Sequence, residues 1–166
     1  MKKSSDVSLR EMSQLRARKI RPTGKGVFCD KRGNVLLIHK DGKVSFPGGG
    51  VDKGETLPKA IARENREELK GFTITLRTLR NAKILISGIL ETTKLEWKKK
   101  KVYVIVINAR HLEDITPNDE EHTDFKVLPI AEAIAYIQNH EGTLLKSRKF
   151  YVAALRKLAK LKKWKI

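Results

Sequence analysis

A single cysteine, Cys29, is all the thiol chemistry the chain contains, which excludes an internal disulfide. It lies in the apolar stretch Gly26-Val27-Phe28-Cys29 and reads as a small buried residue. No apolar run approaches the length of a membrane span, and Met1 to Gln14 is polar and charged, with nothing like the apolar centre of a secretory leader. The expectation is a soluble cytoplasmic protein with no membrane partner. Internal repeats and low-complexity linkers are also missing, so 166 residues are most economically one domain with a core of its own. Acids are scarce: 19 Asp and Glu stand against 36 Lys and Arg, for a formal charge of +17 and a pI near 10.1. A field of that sign draws polyanions, whether nucleotides, RNA, DNA or an anionic membrane, without choosing among them. The excess gathers in Arg16-Ala17-Arg18-Lys19-Ile20-Arg21, in Trp97-Lys98-Lys99-Lys100-Lys101 and in the last twenty residues, where a solvated face that aids solubility is the plainest reading.

What is present in quantity is acid on one helix. Thr56 is a good N-cap, Pro58 fits the first turn, and no further breaker occurs before Gly71, which predicts a helix of about four turns. On it Glu64 and Glu68 are i,i+4 neighbours and Glu64 and Glu67 are i,i+3 neighbours, so three carboxylates project as a cluster. Like charges so spaced repel by a few tenths of a kcal/mol per pair unless a cation compensates. Carboxylate oxygens with no His or Cys nearby in sequence suit a hard ion, Mg²⁺ or Mn²⁺, better than zinc. Mg²⁺ held by few carboxylates takes its remaining ligands from water and substrate phosphates, which points to phosphate chemistry. The bland alternative is a solvated, charged helix face.

The stretch from Gly49 resembles the signature of the Nudix hydrolases, G-x5-E-x7-R-E-U-x-E-E-x-G-U with U a bulky apolar residue, through Gly49, Glu55, Arg63, Glu64, Glu67 and Glu68. Phe46-Pro47-Gly48-Gly49-Gly50 resembles the family's lead-in, and Val35-Leu36-Leu37-Ile38 the strand before it. Two positions depart: Asn65 stands at the apolar position after Arg-Glu, and the closing glycine falls one residue late, at Gly71, with Lys70 in its place. Ile61, Asn65 and Leu69 share a stripe, so Asn65 is expected to face the core, a costly place for an unpaired amide. Glu55 and Arg63 are spaced to pair and brace the glycine loop against the helix.

In chain order, residues 5–19 read as a short helix with Val7, Met12 and Leu15 on one side, forming with the rest of 1–19 a basic N-terminal extension to a hydrolase-like domain over 20–166. Residues 22–29 and 34–40 read as strands joined by the turn Asp30-Lys31-Arg32-Gly33. Phe72 to Thr78 alternates like a strand, Lys83 to Glu96 and Lys101 to Ala109 read as longer strands, and the lysine run between them as an exposed turn. An acidic loop over 117–121, a strand over 124–128 and helices over 130–139 and 144–163 complete the chain. The last helix has an apolar stripe of Tyr151, Ala154, Leu155, Leu158 and Leu161 with lysines opposite. The pattern is α/β, in agreement with the α/β/α sandwich and mixed sheet that the resemblance implies over about residues 20–140.

The resemblance further implies a metal-dependent hydrolase that cleaves a diphosphate linkage in a nucleoside diphosphate derivative, with Glu64, Glu67 and Glu68 as ligands of Mg²⁺ or Mn²⁺. It also implies a further acid from a later loop, for which Glu121 is our choice; His122 is a weaker candidate base. Gly48, Gly49, Gly50 and Phe46 are the expected substrate contacts, with Phe28 and Tyr103 as other rings able to stack a base. A small nucleotide substrate is favoured. The basic ends leave open an RNA 5′-end pyrophosphohydrolase or decapping-like enzyme, or a non-catalytic nucleotide- or RNA-binding module on the same fold. Intact glutamates argue against the module, which has no need of a self-repelling cluster.

Overall fold

A computed structural model of the chain describes residues 1–118 and 124–166. Its centre is a mixed sheet in the order β3-β2-β1-β7-β6, from Lys43–Ser45 (β3), Asn34–Lys40 (β2), Ile20–Cys29 (β1), Lys99–Asn108 (β7) and Ile84–Leu90 (β6). The short strand Gly48–Gly50 (β4) pairs with β1 and Asp124–Pro129 (β9) with β2. The β1–β7 pairing is parallel, Ile20 opposite Lys99 through Cys29 opposite Asn108, and the others are antiparallel. The inner strands β1, β2 and β7 are buried on both faces over much of their length. One face packs on Ile130–Gln138 (α4) and Leu145–Lys162 (α5) through Val27, Leu37, Phe46, Val104, Ile134 and Leu155. The other packs on Leu9–Ala17 (α1), Leu57–Glu68 (α2) and Leu76–Asn81 (α3) through Phe28, Leu36, Ile61, Leu79 and Ile105. The arrangement is an α/β sandwich. The first nineteen residues join it: Met12 is fully buried, Val7 and Leu15 nearly so, and Lys3 bridges to Lys83.

The motif helix starts as its sequence dictates, with the Thr56 hydroxyl accepting from the Lys59 amide and Pro58 in the first turn. It stops at Glu68, because Leu69–Lys70 (β5) leave the helix to pair with Thr116–Pro117 (β8). These two extended residues carry the turn to Gly71, where φ is +79°, which accounts for the late glycine.

Three expected elements differ. Phe72 to Thr78 is not a strand: Thr75 caps α3 by accepting from the Thr78 amide, and the i,i+3 pair Leu76 and Leu79 outweighs the short alternation before it. The strand expected over 83–96 ends at Leu90. The lysine run is not an exposed turn, since Lys99, Lys100 and Lys101 form the first part of β7, opposite Ile20, Arg21 and Pro22. Period-2 geometry separates their charges: Lys99 pairs with Glu91, Lys101 lies over the Tyr103 ring, and Lys100 faces a cavity. Cys29 is buried, and burial pushes its thiol up to about 11.

Candidate active site

The glycine run is a strand laid against β1, with Gly50, Gly49 and Gly48 opposite Thr23, Gly24 and Lys25. A Cβ on Gly48 would collide with the Gly24 carbonyl oxygen, and its φ of +136° is open only to glycine. A Cβ on Gly49 would meet the Glu64 carboxylate, which lies directly against the turn. The Gly48 amide donates to Glu68 Oε1 at 2.7 Å, and Lys25 Nζ donates to the Gly48 carbonyl at 3.0 Å. Glu68 therefore joins the loop to the helix, and Lys25 joins it to β1.

Arg63 is the centre of the second connection. Its Nε and Nη2 fork onto Glu55, each at 3.0 Å, Nη2 also donates to the Gly50 carbonyl at 2.9 Å, and Nη1 donates to Glu64 Oε1 at 2.9 Å. Glu67 Oε1 stands 3.5 Å from the same Nη1. Burial alone would raise the Glu55 carboxyl, but the Arg63 fork and the Asp52 amide outweigh it and hold it low. Arg63 in turn is held protonated chiefly by its hydrogen bond to Glu55.

Glu64 and Glu67 thus share one guanidinium nitrogen, while Glu68, 2% exposed, turns to the Gly48 amide. Burial pushes the Glu68 carboxyl up and the half-buried Lys25 ammonium down, each checked by the other's charge. Among the described residues no three His, Cys, Asp or Glu side chains converge tightly enough to hold an ion by themselves. The carboxylate oxygens of Glu64 and Glu67 are donors of the kind a hard cation takes when it completes its shell with water and phosphate oxygens. Glu121 and His122 lie outside the described residues.

Phe46, expected to contact substrate, is fully buried, its ring 5.1 Å from that of Tyr151 in the core. Phe28 is equally buried against Phe72, and Tyr103 faces the other layer, donating to Glu11 at 2.6 Å. An apolar lead-in strand seats its ring in the core whatever follows it. Missing from the sequence reading is a set of cations. A cavity of about 290 Å³ is lined by Gly48, Gly49, Gly50 and Glu64 on one side and by Arg21, Lys25, Lys40, Lys43, Lys94 and Lys100 around it. Its signal was present in part, since Arg21, Thr23 and Lys25 alternate along a strand that is otherwise apolar or glycine.

The family described as the NUDIX domain matches residues 20–151. A 60-residue stretch is 40% identical to an 8-oxo-dGTP diphosphatase of Proteus vulgaris, covering 32% of this chain and 53% of that one. Over 89 residues it is 38% identical to an RNA pyrophosphohydrolase of Tolumonas auensis, covering 51% and 49%. The chain spans about half the length of the curated relatives it matches. Among solved structures, a C. elegans Ap4A hydrolase superposes with a TM-score of 0.61 at 21% identity over 86% of this chain and 97% of that one. The E. coli dihydroneopterin triphosphate pyrophosphohydrolase gives 0.61 at 18% over 84% and 95%. At such identities the structures speak for the fold alone, and with the domain match over most of its length this chain belongs to the Nudix family.

Proposed function

We propose that the protein is a divalent-cation-dependent pyrophosphohydrolase that cleaves a diphosphate linkage in a nucleoside diphosphate derivative, a small nucleotide by preference. The observation that carries this reading is the position of Glu64, which belongs to the carboxylate cluster of α2 and also lines the cationic cavity. Cation-binding acid and phosphate-binding base therefore meet at one wall. The relatives named as diphosphatase and pyrophosphohydrolase support it.

Glu64 and Glu67, with Glu68 behind them, would hold Mg²⁺ or Mn²⁺. When bound, such an ion neutralises charge on the phosphoryl oxygens and lowers the pKa of its water. The chain's own residues supply the rest. Gly49 and Gly50 let the Glu64 carboxylate and the Arg21 guanidinium lie against the loop backbone where side chains would stand, and Lys25 and Arg21 would neutralise non-bridging oxygens at the cavity wall. Arg63, fixed by Glu55, keeps Glu64 against the loop.

The test is phosphate or pyrophosphate release from nucleotides with either metal, repeated in excess chelator and in Glu67→Gln and Glu68→Gln. Activity should disappear with chelator and fall about 100-fold or more in the variants, the several kcal/mol a cation contributes, with folding intact. Unchanged turnover in both variants, or full activity in chelator, refutes the reading.

A second reading, cleavage at an RNA 5′ end, draws on α5. Leu144 and Ser147 at its start line the cavity, Tyr151, Leu155 and Leu158 are buried, and Lys157, Lys160 and Lys163 are exposed on its outer face. A helix that starts at the cavity and carries exposed lysines toward its far end would offer a phosphate backbone contacts beyond the cavity.

A further inference from the structure

The cavity's lining is as informative for what it lacks as for what it holds. Its only aromatic side chain among the described residues is Tyr151, 2% exposed, with its ring packed on Phe46 and Phe150 at 5.1 and 5.7 Å. Among the described lining residues no ring is presented to stack a nucleobase, and Phe28 and Phe46 are committed to the core. At about 290 Å³ the space lies just below the range for ligand cavities, roughly 300–1,000 Å³.

Its charge is one-sided. Arg21, Lys25, Lys43 and Lys100 come from three different strands, β1, β3 and β7, and their side chains are half-buried and within electrostatic reach of one another. Burial, and then Lys25, Lys43 and Arg21, pull the Lys100 ammonium down to about 8. The acids that face them are mostly committed. Among the described residues, Glu64 is tied to Arg63, Glu91 pairs with Lys99 and Lys146, Glu68 faces Lys25, and Asp41 stands at the exposed rim. A cluster of half-desolvated cations with so little internal compensation is complementary to a dense anion.

We propose that the cavity selects its substrate by its phosphate chain: three or more consecutive phosphates enter, and the nucleoside or other group they are attached to stays outside, unread. This rests on the hydrolase reading for turnover, while the binding preference is independent of it. The phosphate chain has two natural sources, a free nucleoside triphosphate and the 5′-triphosphate of an RNA.

The experiment compares kcat/KM for ATP, GTP, CTP and UTP, for ADP-glucose with its two phosphates, and for a short RNA bearing a 5′-triphosphate. It is paired with calorimetric binding of inorganic tripolyphosphate. The four triphosphates should agree within about threefold, whereas a pocket that reads a group discriminates by about 100-fold or more. ADP-glucose should be at least about tenfold poorer, and Lys43→Gln and Lys100→Gln should each raise KM for the triphosphates several-fold more than for ADP-glucose. Tripolyphosphate should bind to the parent and bind at least about tenfold more weakly to the double variant. Strong preference for one base, or equal effects of both substitutions on two- and three-phosphate substrates, overturns the proposal. Turnover of the RNA above the free triphosphates identifies the RNA as the source, and the reverse identifies the mononucleotide. If nothing is hydrolysed with either metal, the hydrolase reading fails, and tripolyphosphate binding still decides this proposal: loss of affinity in the double variant upholds it, and no binding to the parent refutes it.

Discussion

Replacing Asn65 by Leu should make the protein more stable. Asn65 lies one turn beyond Ile61 on the buried face of α2 and is 5% exposed. Neither its Oδ1 nor its Nδ2 has a hydrogen-bond partner among the described residues. A buried polar group left unpaired costs about 1–3 kcal/mol, and Leu, close to Asn in length, removes both atoms and adds apolar contact with its neighbours. Imperfect fit in a packed layer takes back part of this, so the net gain should be about 1–2 kcal/mol. In urea, with a slope of about 2 kcal/mol per molar, the midpoint should rise by about 0.5–1 M at unchanged slope. The melting temperature should rise by about 3–6 °C. Since Glu64 and Arg63 are held by Glu55 and the Gly50 carbonyl, kcat/KM should stay within about threefold of the parent. A lower midpoint in Asn65→Leu would show that the amide is satisfied in solution and would refute the argument.

The two neighbouring loop glycines should respond differently to the same change. Gly48→Ala sets a Cβ against the β1 backbone at a positive φ and should destabilise by more than about 3 kcal/mol in thermal melts. Gly49→Ala meets the far end of the Glu64 side chain rather than backbone, so it should fold normally and lose turnover; normal turnover would place Glu64 outside the chemistry. Lys100 gives a pH signature. Its ammonium lies at about 8 in the folded state against 10.5 ordinarily, so between these values the unfolded chain binds the more protons and stability from this group rises with pH. Its penalty is full below pH 8. Lys100→Gln should therefore raise the melting temperature at pH 7 by an amount that shrinks toward pH 10, and a gain independent of pH would rule out desolvation of the ammonium as its cause.

Patterns confined to one element were legible in the sequence. Thr56, Pro58 and the glutamate spacing specify α2 and its carboxylate cluster because a helix places i, i+3 and i+4 on one face without help from other elements. The Val and Ile runs specify buried strands, and the polar turn Asp30 to Gly33 specifies their hairpin. What only the tertiary structure decided involves residues far apart in sequence. Thr75 and Leu79 made a helix where alternation suggested a strand, because Leu79 is fully buried in the layer that α1 and α2 also form. Phe46 went to the core through Tyr151, more than a hundred positions away. The lysine run became a central strand because parallel pairing with β1 fixed its register, a choice no local charge pattern encodes. That same pairing sets Arg21 beside Lys100, and the pairing of the glycine strand with β1 sets Lys25 beside Glu64 and Glu68. The carboxylates are thus a property of one helix and its spacing, whereas the cations that face them exist as a group only once β1, β3 and β7 have met.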